Sequence, residues 1–517
     1  MQATQMLNQA VRGTPDGVAT ISGDRRRTWR EIGERVPRIA AAFQGLGLVR
    51  SDRVAVLAMN SDSYLELFFA VPWAGGSLVP LNIRWSVAEN EYAIKDAGAS
   101  ILCFDDSYIA QVIELRERCP GLQLAWIGVG DAPEGISALD MLAAGSTPAR
   151  DSCVRDDELY VVFYTGGTTG YPKGVALSHR AIVYSSICYL AMLPSIESLR
   201  FLYVGGFFHF SGASPLWYIT LAGGTHVILP KFEVEPVMQS VGRHQVTNAT
   251  LIPTMVNMMM NHPEFPKYDF SSMKTCIYGG APMPEALMLQ AMEKLPTWHF
   301  YQIYGMTESG GFATMLRWRD HHRTPEQGSK LRSAGQAAIG VEVRIIRPDG
   351  STAPHGEVGE IAVRSDALMT GYYGNPQATQ AVLVDGWMHT GDGGRMDENG
   401  YLFIEDRIKD MIVSGGENVY SVEVERVLYA HPAVREAAVV GIPHERWGEA
   451  VHAVVVLREG AAVTVDELIA HCRLSIGGYK CPRSIEFRAE PLPTTHVGKI
   501  RKNVLREPYW AARDKKI

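Results

Sequence analysis

Residues 159–174 read Leu159-Tyr160-Val161-Val162-Phe163-Tyr164-Thr165-Gly166-Gly167-Thr168-Thr169-Gly170-Tyr171-Pro172-Lys173-Gly174. The opening run is rich in β-branched and aromatic residues and predicts a strand over 159–164. The rest is glycine and threonine with one lysine. Glycines let backbone N–H groups come close to an anion, threonine hydroxyls add donors, and the lysine neutralises charge. A flexible strand-to-helix loop would not need all three, so the stretch predicts a phosphate-binding loop. It is not a P-loop: the spacing G-x-x-x-x-G-K-[ST] fails, and Gly174 follows the lysine.

Outward from this loop the chain alternates strand-like and helix-like segments. Strands are expected over 53–59, 77–81 and 100–104, with helices over 61–73, opened by Ser/Asp caps, and 87–96. After the loop come a helix from Ser178, strands over 226–229 and 275–278, and helices over 234–244 and 284–295. Such alternation predicts an α/β fold, a large N-terminal domain of mostly parallel sheets covered by helices. From about residue 335 the pattern changes. Strands over 341–346, 359–364 and 401–404, with turns at Pro348-Asp349-Gly350 and Glu398-Asn399-Gly400, predict a small β-rich subdomain over 335–408. The remainder, 409–517, has its own helix–strand alternation at 421–430, 451–457 and 465–474 and reads as a small, mobile α+β domain.

With 517 residues, the chain is too long for one core. A net charge of -7 argues against broad binding to nucleic acid. The 7 cysteines form no CxxC pair, which reads as a reduced compartment without a disulfide framework or zinc site. Residues 1–17 lack the basic start and apolar core of a signal peptide. The apolar stretch 65–81 is broken by Glu66, Pro72, Gly75, Gly76 and Pro80, so a buried helix and strand are expected, with no membrane insertion. A cytoplasmic location follows as the expectation.

Three further motifs carry chemistry. Tyr304-Gly305-Met306-Thr307-Glu308 sets an aromatic ring, a glycine turn, a hydroxyl and a carboxylate at a strand end, where α/β folds bind ligands. Trp387-Met388-His389-Thr390-Gly391-Asp392 offers an acid after a turn, able to accept two ribose hydroxyls or simply to cap the turn. Pro493-Thr494-Thr495-His496-Val497-Gly498-Lys499-Ile500 places a lysine near the C-terminus.

Taken in this order, the motifs resemble those of the acyl- and aryl-CoA synthetases of the adenylate-forming superfamily, which also holds luciferases and peptide-synthetase adenylation domains. The resemblance spans nearly the whole chain. It implies that Thr165, Gly166, Gly167, Thr168, Thr169, Gly170 and Lys173 cradle the phosphates of ATP. It also implies that Tyr304, Gly305 and Met306 border the nucleotide, Tyr304 stacking on adenine, with Gly279, Gly280 and Ala281 as a wall on the adenine and acyl sides. Thr307 would touch the α-phosphate, Glu308 hold Mg2+, Asp392 and Arg407 bind the ribose, and Lys409 serve as the hinge between domains. Lys499 would bridge carboxylate and α-phosphate; Thr494 stands where relatives often carry a basic residue.

On the coenzyme A side the resemblance implies that Gly415 and Gly416 line the pantetheine tunnel. Trp447 and Tyr479 would clasp the adenine of coenzyme A, with Arg84 and Lys480 as cations for its phosphates; Cys481 replaces an arginine found in one relative. Phe207-Phe208-His209-Phe210-Ser211-Gly212 matches the acyl-pocket segment, with His209 at the gate. Ile252-Pro253-Thr254, Tyr278 and Gly310-Gly311 are expected to complete the pocket. No acid lies within 205–213. An α-ammonium would be buried there without a counter-charge, which disfavours amino-acid substrates. The expected activity is ATP-dependent ligation of an aryl, cinnamyl, alicyclic or medium- to long-chain acid to coenzyme A. Other acceptors, a carrier-protein thiol or oxygen, stay open, as does a non-catalytic nucleotide sensor, which the presence of Glu308 and Lys499 disfavours. A homodimer is expected by analogy alone.

Overall fold

The computed structural model describes residues 1–165, 172–193, 197–281, 283–322, 329–407, 410–414, 417–445, 447–494 and 500–511. Among these, two large sheets with parallel centres form the N-terminal part. The eight-stranded sheet is built on Arg53–Leu57, Ser77–Pro80, Ala99–Phe104 and Leu159–Thr165, in mutual parallel register. The nine-stranded sheet runs Asn248–Thr250, Thr275–Gly279 and His299–Tyr304 side by side, again parallel. Hydrophobic strands of this kind need cover on both faces. A shared core covers one face of each, with Val54, Val56 and Phe163 of the first sheet and Phe201, Tyr203 and Ile228 of the second, while separate clusters around Leu57 and Leu102 and around Val227 and Ala249 cover the opposite faces.

The helix Asp62–Ala74 shows how sequence produces this layer. Ser61 caps it by accepting from the Tyr64 N–H at 3.1 Å, and Gly75, at φ +103°, ends it. Nearly every side chain on it is buried, including Asp62 and Glu66, which are 0% exposed. Buried carboxylates persist only when paired. Arg35 grips both oxygens of Glu66 at 2.7 and 2.9 Å, Arg27 reaches Asp62 at 2.5 Å, and Arg25 also binds Asp62. The break at Gly75-Gly76 and the strand Ser77–Pro80 fall where the sequence places them.

The region after the glycine–threonine loop differs from expectation. A strand, Lys173–Ser178, precedes the helix His179–Met192 and pairs antiparallel with Leu159–Thr165. The loop therefore closes a β-hairpin, with Thr165 opposite Lys173. After Lys173 the residues of this strand are small or apolar and buried, so they join the sheet.

The β-rich region is an antiparallel five-stranded sheet of Glu342–Ile346, Gly359–Arg364, Leu383–Val384, Trp387–Met396 and Leu402–Arg407. One short strand within it, Gly371–Tyr372, leaves that sheet and pairs with Lys173–Ser178 of the eight-stranded sheet. The C-terminal part has its own five-stranded sheet, centred on the long pair Val434–His444 and Gly448–Leu457 and packed against the helices Ser421–Tyr429 and Lys502–Trp510. Its core is separate. Among the described residues, no helix is long and apolar enough to cross a membrane.

Candidate active site

Parallel strands end together, and their C-terminal ends leave a crevice for ligands. Thr275–Gly279 and His299–Tyr304 end side by side, with Gly279 opposite Ile303. A Cβ on Gly279 would lie 2.4 Å from the Ile303 carbonyl oxygen, so only glycine allows this approach. Gly280 and Ala281 follow at the same end. Beyond Tyr304 the chain turns through Gly305, and the Ala313 N–H donates back to the Tyr304 carbonyl at 2.7 Å. Met306 half-buries against the main core, and Thr307–Ser309 makes a single tight turn.

Two long-range contacts converge on this short segment. At its start, the Tyr304 hydroxyl donates to Asp392 Oδ2 at 2.8 Å. Asp392 lies within the long strand Trp387–Met396, not after a turn as expected. The break that sequence reads as a turn is a bulge, with Gly391 at φ +71° just before the acid and the pairing with Gly359–Arg364 passing from Ala362–His389 to Glu360–Gly393. The strand's other pairing sets Asp392 opposite Arg407 on the neighbouring strand. Arg407 therefore ends a sheet strand.

At the segment's end, Glu308 is buried, 6% exposed, and accepts from the Tyr372 hydroxyl at 3.1 Å. The ammonium of Lys173 lies 4.9 Å from the centre of the Tyr372 ring. Burial, and after it the charge of Glu308, pushes the Tyr372 phenol far above its ordinary range, so it stays a donor. The Glu308 carbonyl in turn accepts from the Met369 N–H at 2.9 Å. Lys173 and Glu308 are both read from sequence as site residues. Tyr372, which links them, is not, and only its place between glycines in Gly371-Tyr372-Tyr373-Gly374 sets it apart in the sequence.

The acyl-side segment packs as one unit. Phe210 starts the helix Phe210–Leu221, and Gly311 makes room for its ring. His209 is half-buried, its ring 4.4 Å from that of Phe208. Asn60, another residue the sequence does not single out, holds the approach to this segment: its amide donates to the Gly205 carbonyl and accepts from the Phe207 N–H, both at 2.8 Å. Tyr278 departs from expectation. It is 1% exposed, and its hydroxyl pairs with His321 and Gln302, so it belongs to the core behind the crevice.

On the C-terminal part, Trp447 stacks on His444 at 4.2 Å with the Arg483 guanidinium 4.6 Å from its ring centre, while Tyr479 is 44% exposed. Lys480 is not a waiting cation: Glu423 holds its ammonium at 2.8 and 2.9 Å. Arg84 is exposed, beside Asn82. Gly166, Gly167, Thr168, Thr169, Gly170, Lys409, Gly415, Gly416, Lys499 and the side chain of Arg407 lie outside the described residues. The residues flanking three of these stretches are described, with Thr165 opposite Lys173 and Ser414 opposite Glu417 in paired strands and Thr494 opposite Ile500 in an isolated bridge.

The comparisons agree with this geometry. A family model described as "AMP-binding enzyme" matches residues 7–373, and one described as "AMP-binding enzyme C-terminal domain" matches 423–499. The chain is 37% identical over 500 residues to a feruloyl-CoA synthase of an Amycolatopsis species, covering 96% of this chain and 97% of the relative. It is 35% identical to the fatty acid–[acyl-carrier-protein] ligase ScoC of Streptomyces coeruleorubidus, covering 100% and 98%. Among solved structures it resembles the amide bond synthetase McbA of Marinactinospora thermotolerans, with a TM-score of 0.90, 32% identity and coverage of 98% and 99%.

Proposed function

Because this chain belongs to the AMP-binding enzyme family and is an acid–thiol ligase, we propose that it activates a carboxylic acid as an acyl-adenylate and passes the acyl group to the thiol of coenzyme A. One observation carries the reading. The five residues from Tyr304 to Glu308 gather Asp392 at one end and, through Tyr372, Lys173 at the other. A ribose-side acid and a phosphate-side cation thus meet the two ends of one short segment at the strand ends.

In the first half-reaction, a carboxylate oxygen of the acid attacks the α-phosphorus of ATP, and the bond to pyrophosphate breaks. Both partners are anions, so catalysis is positioning and charge neutralisation. Lys173 and the 165–174 loop hold the phosphates, Asp392 and Arg407 hold the ribose, and Tyr304 faces the adenine. Lys499 bridges carboxylate and α-phosphate. Thr307 contacts the α-phosphate, and the carboxylate oxygens of Glu308 suit a hard cation such as Mg2+, which when bound would offset charge on the departing pyrophosphate. In the second half-reaction, the small domain turns about Lys409, withdraws Lys499 and brings Gly415-Gly416 to the tunnel. The thiolate sulfur attacks the acyl carbon, the carbon–oxygen bond to AMP breaks, and AMP leaves.

The acid lacks an α-ammonium, since the segment around His209 offers no counter-charge. The candidate acids are aryl, cinnamyl, alicyclic and medium- to long-chain, with the space beside Gly310 and Gly311 taken up by Ala367 and the Phe210 ring. The carrier-protein ligase among the relatives supports a second reading, in which a phosphopantetheine thiol on a carrier protein is the acceptor. Pyrophosphate release, followed for a panel of aryl, cinnamyl and fatty acids, tests the first half-reaction; background rates with every acid would sink the adenylation reading. AMP release then depends on coenzyme A under the first reading and on a phosphopantetheinylated carrier protein under the second.

A further inference from the structure

Tyr372 stands at a junction that neither its own sheet nor the adenylation motifs require. Its short strand comes from the β-rich region, yet pairs with Lys173–Ser178, Tyr372 lying opposite Val175. On either side of it, the Thr370 and Tyr373 N–H groups donate to the Ala176 and Gly174 carbonyls. The backbone of Tyr372 is thereby tied to the arm of the phosphate hairpin that carries Lys173. Its side chain runs to the other motif, donating to Glu308 Oε1 at 3.1 Å, while its ring carries the Lys173 ammonium at 4.9 Å. One side chain thus touches a cation of one motif and the acid of another.

We propose that Tyr372 is a positioning residue that orients the Glu308 carboxylate and the Lys173 ammonium with respect to each other. A glutamate has three rotatable bonds between backbone and carboxyl, and a donor at one oxygen restricts which way the other faces. The same phenol keeps Lys173 at a set distance from that carboxylate, where the two would otherwise pair directly and neutralise each other. The inference rests on the reading of Glu308 as the metal-side carboxylate, and it adds the residue that aims it.

The test compares Tyr372→Phe, Glu308→Gln and the double variant by calorimetric binding of α,β-methylene-ATP, once with Mg2+ and once in EDTA. Tyr372→Phe keeps the ring beneath Lys173 and removes only the hydroxyl. The expected result is that Mg2+ tightens analogue binding roughly tenfold less in Tyr372→Phe than in the unaltered protein, the worth of a hydrogen bond to a charged group. Binding in EDTA should stay within about twofold, and adding Tyr372→Phe to Glu308→Gln should change nothing more. An unchanged Mg2+ effect in Tyr372→Phe, beside a lost one in Glu308→Gln, overturns the inference. A full Mg2+ effect in Glu308→Gln instead refutes the metal-side reading itself. Thermal melting checks that Tyr372→Phe is folded; if it is not, Glu308→Asp, which draws the carboxylate back by one methylene from an intact Tyr372, makes the same comparison.

Discussion

Gly311 and Phe210 are in contact so close that a methyl group on the glycine would sit 2.2 Å from the phenylalanine ring. Gly311 also has φ +91°, a backbone region that costs other residues about 1–3 kcal/mol. Gly311→Ala must therefore displace the Phe210 ring, and the start of the helix it begins, into the acid side of the crevice. The expected outcome is a change on the acid side alone. The specificity constant for the best acid should fall by roughly tenfold or more, and smaller acids should be favoured. The half-saturating ATP concentration should stay as it was. Steady-state kinetics with a graded acid series measures both; an equal effect on ATP would break the assignment of this face to the acyl group.

Tyr304→Phe removes the donor that holds Asp392 while leaving the ring. A hydrogen bond to a charged group is worth about 1.5–3 kcal/mol, so the half-saturating ATP concentration should rise roughly tenfold or more. The response to the acid should not move. Nucleotide binding by calorimetry provides an independent reading of the same loss.

Lys499→Ala separates the half-reactions. Acyl-adenylate formation, followed by pyrophosphate release, should slow by roughly 10²–10³-fold or more, while thioester formation from supplied acyl-adenylate continues. Equal loss of both in a folded variant would contradict the division of labour between the two domain positions.

Acid should destabilise the fold through its buried histidines. Burial lowers His226 from 6.5 to about 3, and His179 and His321 each to about 4. Both ring nitrogens of His226 already serve Tyr203 and Thr220, at 2.8 and 3.2 Å. Below pH 6.5 the unfolded chain takes up protons that the folded one refuses, so stability falls as pH falls. Each histidine contributes a loss of about 1.4 kcal/mol per pH unit, from pH 6.5 down to its folded value. Denaturant unfolding between pH 7.5 and 5 should show this slope, and His226→Gln should flatten it by about one proton. An unchanged slope would mean that His226 is protonated in the folded protein.

Much of the architecture is legible in the chain because its signals are local. Ser61 and Gly75 bracket a helix, and glycine turns at 350 and 400 punctuate the β-rich region at positive φ. The hairpin arm Lys173–Ser178 is not legible, since a short apolar run suits a buried strand or the first turn of a helix equally well until a partner strand is present. The bulge at Gly391–Asp392 is mistaken for a turn for the same reason: glycine marks both, and pairing alone distinguishes them. Likewise, Lys480 reads as an available cation, and only the fold brings Glu423 to it.

The order of motifs in the amino-acid sequence was enough to identify an adenylate-forming ligase, because phosphate, ribose and carboxylate chemistry demands particular residue types in contiguous, recognisable runs. The tertiary structure alone decided the contacts of Tyr372 with Glu308 and Lys173, of Asn60 with Gly205 and Phe207, and of Tyr304 with Asp392. These contacts join residues far apart in the chain, and a long-range contact has no sequence signature: it exists only where packing brings a donor within reach of an acceptor.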